Sequence, residues 1–516
     1  MKKEKKEKEE IGTIISTMDS PSPSRMNFVV SQGIVHRGQF VEADYSEGTL
    51  ISLVTNVVKT NKYFERADSV KEFEARGSAL FEQFPTSEWE YLVAETKPLG
   101  VFTEEKIARS TFPPSPGTKV RIAGNENLKS FFRFDTDSGL MLGRVQFHDL
   151  DVCLNMTRLL KKHLAILSIS GSGKSYATSV LFEELLDRKK EHGRIACIVL
   201  DPHGEYSSFA EPAKKPHADY SDRSRIVRGR NIRIGVSSLS IGILAGIIPG
   251  LSAAQKRDLD EIFSELRSEM KEGKGPFDFS EVKEAIQKSE KIKKNTKAPL
   301  LGWLSELSAM RLFGKVSSPS LPDLVNPGTL TIIDLSDIIN IRKKQIIVSH
   351  FAKKLFEERR KKFVPPFLLV LEEAHQFAPE QAAKETAISR SIIRTIAREG
   401  RKFGASLCLI SQRPVQLDTT ALSQCNTKLI LRVTNPYDLK HLAESAEALD
   451  QRSMDMITSL QVGEALIIGE AVNYPLFFKV RERKSAPSKH EISLEEAAKK
   501  FEEAQSAKDK ETEQFL

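Results

Sequence analysis

The sequence predicts an α/β protein: a parallel sheet covered by helices on both faces, interrupted by a helical insertion and preceded by a small β-barrel or open sheet. Three observations carry that expectation. From about Leu140 onward, short and nearly continuous apolar runs alternate with amphipathic stretches, the pattern of strands buried on both faces. Before it, over 27–119, runs rich in β-branched residues are punctuated by glycine. Over 251–312 the strand pattern stops, and helical periodicity with Lys/Glu faces replaces it.

Length and composition bound the rest. At ~150 residues per domain, 516 residues suggest about three domains. Hydrophobic residues at 40%, charged at 28% and aromatic at 7% exclude a disordered or collagen-like chain. Lys and Arg total 77 against 70 acids, a surplus of +7 that permits an anionic partner without demanding one. Cys153, Cys197, Cys408 and Cys425 are far apart and form no CxxC, which argues against a disulfide framework or a zinc site. No apolar run approaches the ~20 residues of a membrane span, and the charged start carries no signal-peptide pattern. The expectation is a soluble, cytoplasmic protein with no membrane partner.

Along the chain, residues 1–26 are Lys/Glu-rich and then Ser/Pro-rich, and are expected to be a disordered tail. The β region takes 27–139, with Phe28-Val29-Val30, Phe40-Val41-Glu42-Ala43 and Thr49 to Val58 as strands and a helix over 70–84. The α/β core takes 140–480, with strands at 164–167, 195–200, 329–333, 367–371, 406–410 and 429–433 and the insertion at 251–312. A charged extension, 481–516, ends in a helical stretch over 494–504. The arginines from Arg223 to Arg233 could touch phosphates, or could be the solvated face of a strand.

His163-Leu164-Ala165-Ile166-Leu167 reads as a strand. Ser168-Ile169-Ser170-Gly171-Ser172-Gly173-Lys174-Ser175 follows, and a helix begins at Tyr176. This is a P-loop in its required context. Small residues let backbone N–H groups converge on phosphate oxygens, and the helix N-terminus adds its positive end. Ser170, Gly171, Ser172, Gly173, Lys174, Ser175 and Tyr176 are the ATP-binding candidates. Lys174 would reach the β- and γ-phosphates, and the Ser175 hydroxyl would ligate Mg²⁺. Ser168 replaces the usual first glycine, which a negative φ would tolerate.

Phe367-Leu368-Leu369-Val370-Leu371 ends in Glu372-Glu373-Ala374-His375, an apolar strand delivering two acids to the carboxyl edge of the sheet, the Walker B arrangement. Glu372 would hold Mg²⁺ through water, and Glu373 would polarise the attacking water as general base. After Leu407-Cys408-Leu409-Ile410-Ser411, Gln412 could hold that water or sense the γ-phosphate. Between the two strands lies Ala397-Arg398-Glu399-Gly400-Arg401-Lys402-Phe403-Gly404. From spacing alone, Arg398 and Arg401 are equal candidates for an arginine that stabilises phosphoryl transfer across a subunit boundary. Asp201-Pro202-His203-Gly204-Glu205-Tyr206 reads as a structural or coupling loop rather than a metal site.

Taken together and in order, these motifs, with Ser411-Gln412-Arg413-Pro414 and Ser423-Gln424-Cys425-Asn426-Thr427, resemble archaeal HerA, a DNA translocase/helicase family of the HerA–FtsK branch of P-loop ATPases. The resemblance runs over roughly 27–485. It implies a HAS-type N-terminal barrel and a RecA-like core. It implies a homohexameric ring on double-stranded DNA, and partnership with the nuclease NurA in a double-strand-break repair complex that resects ends. It favours Arg398 over Arg401 as the trans-acting arginine, and supports Glu373 as the catalytic acid. It implies that a basic residue before the first core strand contacts nucleotide, here Lys162 where Arg is expected, and that Phe477 and Phe478 pack near the base. Its competitor on the residues alone is a P-loop ATPase that moves protein, such as a secretion or pilus motor.

Overall fold

The computed structural model describes residues 9–61, 64, 67–76, 90–103, 106–248, 250–382, 386–446, 449–488 and, of the last stretch, 494–496, 498–499, 501–503 and 505. The chain divides into two units. The first takes Met1–Asn155, Asp450–Met456 and Glu464–Val480; the second takes Met156–Leu449, Ile457–Gly463 and Arg481–Leu516.

In the first unit β1 (Glu10–Ile14), β2 (Met26–Val30), β3 (Phe40–Tyr45), β4 (Gly48–Asn61), β5 (Glu90–Phe102), β6 (Ile107–Ala108) and β7 (Lys119–Ile122) form one antiparallel sheet. Its order is β2-β1-β7-β3-β4-β5-β6, and a further pairing of β2 with β5 closes it into a barrel. Alternate residues point inward, so Ile11, Ile14, Phe28, Val41, Ala43, Leu50, Val54, Ala94, Val101 and Val120 share one core. The expected β-barrel is therefore present. Residues 10–14, expected inside a disordered tail, are its first strand. Only Ile11 and Ile14 mark that strand in a charged neighbourhood; pairing with β2 on one side and β7 on the other supplies its order. Gly12 is required there, since a Cβ would stand 2.3 Å from the Val29 carbonyl oxygen. The expected helix at 70–84 is observed as Ala67–Arg76, and 77–84 lie outside the described residues.

β8 (Leu140–Val145) and β9 (Asp151–Leu154) pair antiparallel and belong to the first unit.

The second unit is built on β10 (Leu164–Leu167), β11 (Ala196–Asp201), β12 (Ser224–Arg228), β15 (Leu330–Asp334), β16 (Phe367–Leu371), β17 (Ala405–Ser411) and β18 (Thr427–Ile430). These run parallel in the order β12-β15-β11-β16-β17-β10-β18. Every residue of β10, β11, β15, β16, β17 and β18 is buried, as a sheet covered on both faces requires. β18 falls two residues earlier than expected, because its ladder with β10 runs from Leu164↔Thr427 to Leu167↔Ile430. The arginine-rich stretch supplies the edge strand β12. Arg223 and Arg225 hydrogen-bond the backbone carbonyls of Leu186 and Asp323, which favours the structural reading of that run.

The helical insertion is present as Ala253–Glu269, Phe279–Lys288 and Lys294–Ala309, the first two opened by capping boxes at Ser252/Gln255 and Asp278/Glu281. A short parallel pairing of β13 (Ile234–Gly235) with β14 (Phe313–Gly314) ties its two ends together. The last strands, β19 (Glu464–Gly469) and β20 (Leu476–Val480), pair antiparallel with each other, and β20 pairs antiparallel with β8; all three continue the sheet order beyond β18. Residues 481–488, expected in a charged extension, pack on the core: Arg481 pairs at 2.7 Å with both Glu183 and Glu184 of the helix Lys174–Asp187.

Candidate active site

β10 ends where the phosphate-binding loop begins, and the helix Lys174–Asp187 follows it. Gly171 and Gly173 take φ of 74° and 95°, left-handed values that turn the chain into the helix and leave its first N–H groups free. The Ser172 hydroxyl donates to the Ile169 carbonyl at 2.8 Å and tightens the turn, while Ser170 and Gly171 are exposed. Ser168 keeps a negative φ, as a serine in that place requires. Its hydroxyl is buried, with no hydrogen-bond partner among the described residues.

The carboxyl end of β16 meets this loop. Lys174 donates from Nζ to Glu372 Oε1 and, at 2.8 Å, to Glu373 Oε1. Lys174 is 4% exposed and Glu372 0%, so this is a buried charge cluster. Burial opposes the Lys174 charge, but the carboxylates of Glu372, Glu373 and Glu205 outweigh it and hold the ammonium protonated. Complete burial raises Glu372 to about 7, with the Glu205 charge adding to the rise and Lys174 and Tyr206 opposing it. Glu373 sits at φ 49°, ψ 48°, a left-handed conformation that costs a non-glycine residue about 1–3 kcal/mol and marks the position as one the fold holds deliberately.

Around the pair lies a shell that motif reading did not assign. Tyr206 OH donates to Glu372 Oε2 at 2.8 Å. The Ser175 hydroxyl donates to Glu205 Oε2. His375 Nδ1 lies 3.3 Å from Glu373 Oε2 and 3.1 Å from Ser411 Oγ, joining the catalytic acid to the end of β17. Burial pulls His375 below the ordinary histidine value, with Glu373 opposing. Glu205 and Tyr206 belong to the loop read as structural or coupling, and His375 follows the acid pair directly. Their positions in the chain were visible, but not the tertiary distances that join them.

The remaining candidates lie in their own elements. Gln412 is half-buried directly after β17, at the carboxyl edge that also carries the two glutamates. Tyr176 accepts the Arg483 N–H at 2.6 Å. Lys162 precedes β10, at the end of that strand opposite the P-loop. Phe477 and Phe478 are fully buried in β20, in the first unit. Arg398 and Arg401 are exposed on the helix Arg390–Phe403. Arg401 lines a hollow of about 650 Å³ with Lys161, Arg359 and Lys402, at the amino edge where β16 and β17 begin; Arg398 does not.

The helix that carries both arginines is locked by His163. Leu407 N–H donates to His163 Nδ1 at 2.9 Å, so the ring proton sits on Nε2 and donates to the Ala397 carbonyl at 2.9 Å. Gly400 allows this approach, because a Cβ there would lie 2.2 Å from the Ala405 carbonyl oxygen. Burial holds the ring neutral, with a pKa of about 4. The folded value lies below the unfolded one, so its stability contribution is complete above pH ~6.5 and is lost as pH falls towards 4. The full loss is roughly 3 kcal/mol. Urea unfolding between pH 7 and 4.5 should show a shallower pH dependence in His163→Gln than in the wild type; parallel profiles would contradict the assignment.

Among the described residues no three His, Cys, Asp or Glu side chains are arranged to hold a metal by themselves. A Mg²⁺ ion bound with nucleotide takes most of its ligands from phosphates and water. The oxygen donors of Ser175 and Glu372 fit such an ion beside bound nucleotide.

Residues 140–355 match the family model described as "Helicase HerA, central domain". The DNA double-strand break repair helicase HerA of Pyrococcus furiosus is 28% identical over 507 residues, covering 86% of this chain and 87% of that protein. The protein of the same name from Saccharolobus solfataricus is 28% identical over 491 residues, covering 90% and 92%. Among solved structures, VirB4 of Thermoanaerobacter pseudethanolicus matches with a TM-score of 0.51 at 15% identity, over 68% of this chain and 98% of that one, a likeness of fold.

Proposed function

We infer that this chain, which resembles archaeal HerA over most of its length and carries its central domain at residues 140–355, is an ATP-driven motor on double-stranded DNA. The observation that carries the ATPase is the Lys174–Glu372–Glu373 cluster at the carboxyl edge of a parallel sheet. DNA enters through the relatives, whose names make them DNA double-strand break repair helicases. On the same resemblance the chain works as a homohexameric ring with the nuclease NurA in end resection.

Each side chain has a task. Lys174 bonds the two glutamates, and toward a nucleotide whose phosphates meet the loop its ammonium would serve the β- and γ-oxygens, leaving Glu373 to act as base. Glu373 then accepts a proton from the attacking water, steadied by His375 and Ser411. Ser175 and, through water, Glu372 would hold Mg²⁺, which when bound neutralises phosphate charge. Gln412 orients the water or the γ-phosphate from the neighbouring strand end.

Glu373→Gln should bind ATP and lower turnover by ~10²–10⁴, because the amide keeps the shape and loses the base. If Glu372→Gln alone stopped hydrolysis while Glu373→Gln did not, the two roles would be exchanged.

The test of the function is the ATPase rate with and without linear duplex DNA. Stimulation that weakens as salt rises supports the DNA motor, since counterion release governs phosphate contacts. A rate indifferent to DNA would favour a protein-moving motor on the same fold.

A further inference from the structure

We propose that Glu205 is a positioning residue for the cation of the bound nucleotide: it holds the Ser175 hydroxyl proton so that the oxygen lone pairs face the metal. The proposal rests on the nucleotide site inferred above, and not on DNA.

A hydroxyl that ligates a cation does so through a lone pair, and its proton needs an acceptor elsewhere. In the structure that acceptor is Glu205 Oε2. Glu372 is bonded instead to Lys174 and Tyr206, and Glu373 to Lys174, with neither bonded to Ser175. Glu205 is not placed there by chance rotation of a surface side chain. Asp201, fully buried at the end of β11, accepts N–H bonds from His203 at 3.1 Å, Gly204 at 2.8 Å and Tyr206 at 3.0 Å. Gly204 takes φ 77°, which turns the chain back towards the sheet edge. Lys344 donates from Nζ to the Pro202 carbonyl at 3.0 Å and anchors the outer side of the loop. Tyr206 closes it by its bond to Glu372. The loop therefore fixes two neighbouring residues onto two parts of the site at once, Glu205 on Ser175 and Tyr206 on Glu372.

Charge points the same way. Glu205, Glu372 and Glu373 surround a single ammonium, and both Lys174 and Glu372 feel the Glu205 charge. Residues that orient a metal ligand in this way typically contribute 10–100-fold to metal affinity.

The test uses the full chain, ADP and Mn²⁺ as a spectroscopic substitute for Mg²⁺, without DNA. Free Mn²⁺ is read by electron paramagnetic resonance in the presence of saturating ADP, and ADP binding is measured separately in EDTA. Glu205→Ala should weaken Mn²⁺ binding about tenfold or more and leave metal-free ADP binding at the wild-type level. Glu205→Gln, whose amide oxygen still accepts the hydroxyl proton, should fall between the two. Unchanged Mn²⁺ affinity in Glu205→Ala would overturn the proposal, as would an equal loss of metal-free ADP binding, which would make Glu205 a shaper of the loop. Absence of ADP binding in the wild type would overturn the nucleotide site itself, a failure distinct from either.

Discussion

Lys174→Ala should reduce ATP turnover to background and should also destabilise the fold. The ammonium is the only cation bonded to Glu372 and Glu373 among the described residues. Removing it takes away the charge that meets the phosphates and leaves a buried carboxylate, Glu372, without its counter-ion. Breaking a buried pair from one side costs about 3–5 kcal/mol. Glu372 is already raised to about 7 by burial, so in the variant it will protonate more readily. The lost stability should return in part at pH 5, or on adding Glu372→Gln, while activity stays absent. Urea unfolding at two pH values with a steady-state ATPase assay checks both halves. Wild-type turnover in Lys174→Ala would contradict the P-loop assignment.

The second large effect concerns Arg398. Its helix is locked from inside by His163 and held at Arg394 by Asp418 at 2.8 Å, and Arg398 projects from the exposed face. Arg401 lies instead in the basic hollow at the amino edge of the sheet. We propose Arg398, on the resemblance to HerA, as the arginine offered to a neighbouring subunit. Arg398→Ala should bind ATP and assemble, yet hydrolyse ~10³–10⁵-fold more slowly. Mixed with Lys174→Ala subunits, it should regain single-turnover hydrolysis wherever an intact P-loop meets an intact arginine. No recovery after confirmed mixing would remove Arg398 from that role and return Arg401 to it.

The core and its site were legible because their signals are local. Five of the six expected core strands lie within a residue or two of their predicted ends, since β-strands buried on both faces leave continuous apolar runs such as Phe367 to Leu371. The P-loop and the acid pair are likewise read from adjacent residues. What escaped was tertiary. β1 has two inward apolar residues and depends on strands far away in sequence. The antiparallel pairing of β8 with β20 was likewise not visible, because it joins segments as distant in sequence as Val145 and Phe478. The Glu205–Ser175, Tyr206–Glu372 and His375–Ser411 contacts join segments whose spacing carries no shared pattern.

Displacement of a triplex-forming strand from linear duplex DNA tests the motor most directly, because it needs both ATP turnover and movement along the duplex. The wild type should displace the third strand with ATP, and neither Lys174→Ala nor Glu373→Gln should do so. A wild type that hydrolyses ATP at the same rate with and without duplex, and leaves the third strand in place, would contradict an ATP-driven motor on DNA.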